Sequence, residues 1–409
     1  MNILVINHYA GSPRHGMEYR HFYLAREWTR LGHRVCIVAA SQSHLHSRKP
    51  LVSGMMANEE IEGVRYFWLK TPKYEGNGIG RALNMLGFSL MLTPFKSRIA
   101  GRFRPDLVIA SCPHPFVIYA ASRIARASGA KLLFEVRDLW PLTLTELGGI
   151  PPGHPFIVMM QKAEDFAYRV SDAIISLMPK AEGYMTRHGM ASGKFAYIPN
   201  GIDVTEWDGG EAAGALGHIQ ALSRLKQEGK IIVGFTGSHG FGNALDTLIE
   251  AAASLHSYPV AFALVGHGPE KAKLQCRALD MGLKNVTFLP PVPKASVPKL
   301  LEAMDILYIG LKKNKSLHGF GISPNKLIDY MMAGKPVIHA VNAGNDMVSD
   351  SGCGITVAPE EPEAAAQAVI KMTGMTTDER NIMGSKGKKY VLANHDYRVL
   401  ARRFFEAAG

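Results

Sequence analysis

Along the chain, short runs that are apolar at nearly every position alternate with longer stretches whose apolar residues recur at helical spacing. The runs read NILVINHY, RVCIVAA, DLVIAS, KLLFEV, AIISLM and FAYIPN in the first half, then IIVGFTG, VAFALVG, VTFLP, ILYIGL, PVIHA and GITVA in the second. A strand that is apolar on both sides is covered on both sides, so the pattern predicts parallel sheets between helix layers, about six strands in each half. The expected fold class is α/β: two Rossmann-like, doubly wound parallel-sheet domains facing across a cleft, with ligands at the carboxyl ends of the strands.

A chain of 409 residues suits two such lobes. They meet in the glycine-rich stretch IPNGIDVTEWDGGEAAGALG, residues 198 to 217, which places the boundary at Gly201. The expected division is 1–200, 201–390, and a C-terminal piece, 391–409, whose amphipathic YRVLARRFFEAAG docks back on the first lobe.

Charge narrows the partners. A net charge of +11 and a pI near 9.4 favour an anionic ligand or surface. No zinc finger, aromatic RNA-binding motif or basic helix identifies a nucleic-acid binder, so phosphate-bearing small molecules and a membrane surface remain. Cys36, Cys112, Cys276 and Cys353 lack metal or disulfide spacing and read as small core residues in a reducing compartment. The N-terminus reads as a buried strand, not a secretory leader. The apolar segment 82–95 is shorter than the roughly 20 residues a bilayer span needs.

Three glycine-bearing stretches are candidate phosphate loops. After the first strand, Gly11 and Gly16 bracket Arg14 and His15 ahead of a long helix, where main-chain N–H groups and a guanidinium suit an anion. A plain strand-to-helix turn is the alternative, and neither the GxGxxG spacing nor a ribose-binding acid of a dehydrogenase is present. The second half opens with IIVGFTGSHGFGNALDTLIEAAASL, in which Gly237, Gly240 and Gly242 surround Ser238 and His239 and let a ligand approach the backbone. VGHGPEKAKL reads instead as strand-to-helix packing. In GFGISPNKLIDYMMAGKPVI, residues 319 to 338, Ser323 is the expected cap of a helix that starts near Pro324. Asn325, Lys326 and Asp329 then share one turn: Lys326 meets phosphates, and Asp329 accepts from sugar hydroxyls. A surface ion pair on a capped helix is the structural alternative.

SPNKLIDYMMAGKPVI, together with IPNGID, VGHGP and FEVRDLWP, resembles the retaining group 1 glycosyltransferases of the GT-B fold, family 4-like. The likeness is to the bacterial O-antigen, capsule and surface-polysaccharide branch, including UDP-N-acetylfucosamine-type sugar transferases, and runs from INHYAGSP to about Ala358. It implies a nucleotide sugar held mainly by the second lobe, an acceptor held mainly by the first, and no cofactor or required metal. Independently, the chain contains no Asp-x-Asp pair to hold a divalent ion on a diphosphate. Two departures stand out. Of the family's Glu-x7-Glu pair the second acid matches Asp329 but the first matches Gly321, and the glycine loop lacks the family's Arg and Lys. Diphosphate charge therefore falls to Lys326, the amides of Ser323 and Gly240, and His239. In FEVRDLWP, Arg137 stands where the family often has a donor-contacting His. Arg137 grips a phosphate or carboxyl and Asp138 accepts from sugar hydroxyls, or Arg137 sits in a structural ion pair. Glu135 and Trp140 project into the cleft, and Asn200 and Asp203 mark its wall.

The resemblance implies front-face transfer of a sugar, an N-acetylated amino sugar being one candidate, from a UDP-sugar to a polyprenyl-diphosphate-linked saccharide acceptor. Residues 79–103, with Arg81, Lys96, Arg98, Arg102 and the adjoining Arg104, form a basic amphipathic segment suited to the inner-leaflet membrane surface. An ordinary core helix is the alternative. The expected protein is cytoplasmic and peripheral to the inner membrane. Rival readings are a UDP-sugar 2-epimerase or hydrolase, and an inactive nucleotide-sugar-binding protein.

Overall fold

The computed structural model describes the chain except residues 77, 99, 100 and 102 and the side chains of 95–98. Lys96, Arg98 and Arg102 of the basic segment thus lie outside the described side chains. The chain forms two compact units, Met1–Asn200 with Tyr397–Gly409, and Gly201–Asp396. The return to the first unit comes at Tyr397, not at residue 391, because the Thr377–Asn394 helix carries the chain onward before it breaks.

Among the described residues the first unit holds eight strands: β1 (Asn2–Asn7), β2 (Arg34–Ala40), β3 (Met56–Ile61), β4 (Val64–Leu69), β5 (Leu107–Cys112), β6 (Lys131–Val136), β7 (Ala173–Ser176) and β8 (Phe195–Tyr197). Their order is β3-β4-β2-β1-β5-β6-β7-β8. All neighbours are parallel except β3 and β4, a hairpin absent from the sequence expectation. Its turn is Glu62-Gly63, with φ of 49° and 78°, the two left-handed residues that match the twist of a two-residue hairpin.

The second unit has six parallel strands: β9 (Ile231–Thr236), β10 (Val260–Val265), β11 (Val286–Leu289), β12 (Ile306–Gly310), β13 (Val337–Ala340) and β14 (Gly354–Val357). Their order is β11-β10-β9-β12-β13-β14. In each sheet the strand order reverses beside the first strand of the unit, between β1 and β5 and between β9 and β12. Ligands of open α/β sheets bind at such points.

Tyr397, Leu400, Ala401 and Phe404 of the last helix, Tyr397–Ala408, belong to the first unit's core. Trp28 Nε1 donates to Ala401 O at 3.0 Å, and its ring meets Phe404 edge-on at 5.3 Å. Cys36, Cys112 and Cys353 are buried as expected of core thiols, but Cys276 is exposed. The Ile79–Arg98 helix buries Met85, Phe88 and Leu92, while Ile79, Leu83 and Leu90 stand 81%, 56% and 71% exposed. It therefore covers a core and also shows an apolar stripe. Among the described residues no helix is long and apolar enough to cross a membrane.

Glu164, on the Pro155–Val170 helix, is buried, and among the described residues no cation pairs with it. Tyr168 Oη, Tyr184 Oη and Gln161 Nε2 each donate to its carboxyl at 3.0 Å. Burial raises it from 4.5 to about 7. A carboxyl whose folded value is raised favours the fold while protonated, so that contribution is lost as pH rises through about 7. The loss runs from about pH 4.5, where the unfolded chain ionises, to about 7, and amounts to about 3 kcal/mol. Thermal denaturation of Glu164→Gln against the parent should show this part of the pH dependence gone; identical slopes would refute it.

Candidate functional site

The loop after β9, residues 237 to 243, is folded against the loop after β10. Gly237 N–H donates to Val265 O at 3.0 Å and His239 N–H to His267 O at 2.9 Å. A Cβ on Gly266 would lie 1.9 Å from Gly237 O, and one on Gly268 would lie 2.5 Å from His239 O. Main-chain packing alone demands both glycines, as the packing reading of VGHGP expects. With the N–H groups of Gly237 and His239 engaged, those of Ser238 and Gly240 remain. Neither donates to a main-chain oxygen among the described residues. Gly240 is extended, and its added Cβ would meet only Ser238 Oγ, at 3.3 Å; at Gly242 nothing lies within 4 Å. The fold does not require these two to be glycine.

The Asn325–Met332 helix delivers Lys326 to this loop. Its Nζ lies 2.5 Å from Asn243 Oδ1 and 4.5 Å from the centre of the Phe235 ring. Asn243 Nδ2 donates to Ser238 O at 2.9 Å, so one amide joins the lysine to the glycine loop. Burial lowers the ammonium to about 8. The expected cap is corrected: the helix starts at Asn325 after Pro324 as N-cap, with no side-chain cap bond, so Ser323 precedes the cap and Pro324 lies outside the first turn. Asn325 is exposed there. Lys326 reaches Asn243, and among the described residues it forms no ion pair with Asp329. Burial raises the Asp329 carboxyl to about 6, with Lys294 pulling it back.

His239 is corrected too. It is fully buried, its ring lying 5.9 Å from Phe235 and 6.1 Å from Phe288. Burial first, then Lys271 and Lys326, hold it at about 4, so it is neutral and supports the loop from behind. Two residues escaped the sequence reading. Asn243 is one, and its position just before a helix was the available signal. Lys271 is the other: its Nζ donates to Gly266 O and Leu289 O at 2.8 and 3.0 Å, tying together the ends of β10 and β11. A cavity of about 50 Å³ behind the loop, lined by Leu245, Leu274, Lys312 and Arg277 among others, is too small for a nucleotide.

In the first unit the Gly11, Arg14 and Gly16 loop is not a helix N-terminus. The helix is Arg20–Arg30, and the loop doubles back through bridges from Gly16 to Ser12 and His46. A Cβ on Gly11 would lie 2.1 Å from Met17 O, and Gly16 has φ +105°. Arg14 turns to Glu59 at 3.6 Å. The turn reading therefore accounts for these residues. Arg137 forms an ion pair with Glu18, the structural alternative given above, and Asp138 beside it is exposed. Asp203 caps the Val204–Asp208 helix, accepting from Glu206 N–H at 2.7 Å, and Asn200 is buried.

Glu135 does not project into solvent. Arg20 Nε donates to it at 2.8 Å, Ser111 Oγ at 2.7 Å, and His21 Nε2 lies 2.7 Å away, all of them buried. Asn7 Oδ1 accepts from Tyr9 N–H, which turns Asn7 Nδ2 toward His21 Nδ1 and leaves the imidazole proton on Nε2, facing Glu135. Although burial opposes ionisation, His21 and Arg20 hold the carboxyl well below its usual range. Arg20 also donates to Ile198 O at 2.9 Å and to Pro199 O, fixing the last residues of the first unit.

Residues 230–374 match the family model Glycosyl transferases group 1, and residues 15–201 match the Glycosyl transferase 4-like domain. The chain is a group 1 glycosyltransferase. WcaI of Escherichia coli (strain K12), assigned to colanic acid biosynthesis as a glycosyl transferase, is 24% identical to it over 320 residues, 75% of this chain and 76% of that protein. Sucrose-phosphate synthase from Thermosynechococcus elongatus has 15% identity and a TM-score of 0.72, over 99% of this glycosyltransferase and 97% of that chain. Anabaena HepE in complex with UDP and glucose has 16% identity and a TM-score of 0.65, over 99% and 98%. These structural likenesses identify the two parallel-sheet α/β units as the GT-B fold.

Because Gly240 is sterically free, Gly240→Ala should leave the thermal midpoint unchanged and lower UDP affinity about tenfold if a ligand meets that backbone; equal affinity would show the loop to be unvisited. Ala244, with φ +46°, is a left-handed residue whose backbone strain outweighs what its buried methyl group contributes. Ala244→Gly should raise stability by about 0.5–1 kcal/mol in denaturant unfolding. A loss would contradict the strain.

Proposed function

We propose that this glycosyltransferase moves a sugar from a UDP-sugar, with retention of configuration and without a metal, to a lipid-linked saccharide in bacterial surface-polysaccharide assembly. The observation that carries the reading is the Lys326 ammonium held beside the Ser238 and Gly240 amides at the reversal point of the second sheet. Main-chain N–H groups and one cation, fixed during folding, are suited to receive the charge that develops on a departing diphosphate. In the transfer the bond from the anomeric carbon to the diphosphate oxygen breaks, and the bond to the acceptor oxygen forms on the same face. The acceptor's proton goes to the leaving diphosphate.

WcaI's assignment to colanic acid biosynthesis and HepE's complex with UDP and glucose support the polysaccharide setting and the donor class. Asp329, one turn beyond Lys326, takes the ribose hydroxyls. The exposed Ile79, Leu83 and Leu90 support an inner-membrane contact at a lipid-linked acceptor. One observation favours a second reading, an inactive binder: Gly321 replaces a family carboxylate. Turnover of UDP-sugar with extracted lipid acceptor, and none with donor alone, separates transfer from hydrolysis, epimerisation and bare binding. Chelators should leave the rate unchanged.

Lys326→Ala should weaken UDP binding by about 1–3 kcal/mol, measured by calorimetry; unchanged affinity would remove the phosphate role. The ammonium is charged below about 8, so parental UDP affinity should fall as pH rises through that value, with proton uptake on binding above it. Asp329→Asn should weaken UDP but spare inorganic pyrophosphate. Equal losses would contradict a ribose contact.

A further inference from the structure

The two edges of β9 are paired to different lengths. With β10 the ladder runs from Ile231–Val260 to Thr236–Val265, whereas with β12 it holds only Val233–Ile306 and Gly234–Leu307, beyond which β12 continues beside β13 alone. Gly237 N–H turns to Val265 O on the β10 side. The N–H and C=O of Thr236, one residue earlier, turn the other way, into the gap that β12 leaves. Thr236 is buried, so main-chain groups left unmet there would cost free energy. Tyr330 of the Asn325–Met332 helix closes the gap. Its Oη accepts from Thr236 N–H at 2.7 Å and donates to Thr236 O at 3.1 Å, with Thr236 Oγ1 at 3.4 Å. A hydroxyl has one donor and two acceptor sites, so it meets both main-chain groups at once.

We infer that Tyr330 is a positioning residue for the donor site: its hydroxyl takes the place of the absent strand beside Thr236 and so fixes the glycine loop against Lys326. As a residue that serves the diphosphate contact, it rests on the donor reading given above. Lys326 precedes Tyr330 by four residues, so the two stand one turn apart on the same face of the helix. Thr236 is joined directly to Gly237, where an added Cβ would lie 3.5 Å from Lys326 Nζ. One helix face thus holds the loop at two points, the hydroxyl at its root and the ammonium at Asn243. The Ser238 and Gly240 amides follow in the same short loop, and their place relative to the ammonium depends on both. The Tyr330 side chain is fully buried, so it acts through Thr236 and not on a ligand. Phenylalanine would fill nearly the same volume yet leave two main-chain groups without partners. They regain partners only by shifting, and Gly237 shifts with them. A displaced set of donors then meets an anion less well.

The test compares Tyr330→Phe with the parent, as full chains, well below both thermal midpoints. UDP and inorganic pyrophosphate should each bind about tenfold more weakly in calorimetry, since both present a diphosphate. A second readout needs no ligand: the ε-carbon resonance of Lys326, assigned by its loss in Lys326→Ala and followed through pH. Asn243, Phe235 and the neutral His239, which Lys271 also influences, face that ammonium. Loosening the contact should raise its midpoint from about 8 toward the usual lysine range. A tyrosine that merely stabilises the unit would lower the thermal midpoint and leave both affinities and the Lys326 midpoint where they are; that result overturns the inference. If Tyr330→Phe does not fold, hydrogen exchange in the parent decides. The Thr236 amide should exchange about a hundredfold more slowly than the Gly240 amide, and equal rates overturn the inference. UDP binding insensitive to Lys326→Ala, with the Lys326 midpoint still moved by Tyr330→Phe, would instead sink the donor reading and leave the positioning contact standing.

Discussion

Two main-chain loops at the carboxyl ends of β9 and β10 come so close that no side chain fits between them, and the candidate donor site is organised by that approach. With Gly237 and His239 hydrogen-bonded to Val265 and His267, the amides of Ser238 and Gly240 are left for a ligand. The same commitment sends the His239 ring into the core, between Phe235 and Phe288. Asn243 closes the loop onto Ser238 and, with its other amide atom, holds Lys326. The donors are thus fixed when the unit folds, so little reorganisation is needed when an anion arrives.

This explains what the sequence could and could not reveal. A glycine shows that a side chain is missing but not why. Gly266 and Gly268 are imposed by a neighbouring backbone, Gly16 and Gly237 by positive φ, and Gly240 and Gly242 by neither. Only the folded backbone separates these cases, which is why Gly11 and Gly16 left a phosphate loop and a plain turn both open and the structure shows a self-packed turn. The parallel strands were legible because apolar runs covered on both faces look like nothing else. β3 was not, since MANEEI is polar and sits at a sheet edge, and Glu-Gly is a weaker hairpin signal than Asn-Gly.

Alternation along β6 accounts for another part. Glu135 lies within the strand and faces the core, where Arg20, 115 residues away, neutralises it; Arg137 and Asp138 lie past its end. The string FEVRDLWP reads as four cleft residues, yet its first acid belongs to a buried network that positions the chain leaving the unit. A buried carboxylate stays ionised only with a cation and donors close by, and no local spacing reveals a partner so distant.

The missing family carboxylate is a matter of backbone as much as of side chain. Gly321 has φ +108°, a conformation a glutamate would adopt only under strain. The loop around it is held by others: Ile322 N–H donates to Asn345 Oδ1 at 2.7 Å, Asn345 Nδ2 returns to Ile322 O at 3.0 Å, and Gly344 N–H donates to His318 O at 2.7 Å. Gly321→Glu would thus place a side chain on a left-handed residue within a fixed main chain. The loop after β9 lacks the Arg and Lys that the resemblance implies, and the positive charge beside it comes from Lys326 and Lys271 together with main-chain dipoles. An ammonium lowered by burial to about 8 has given up part of its hydration, and on the proposed donor reading a diphosphate would restore what was lost.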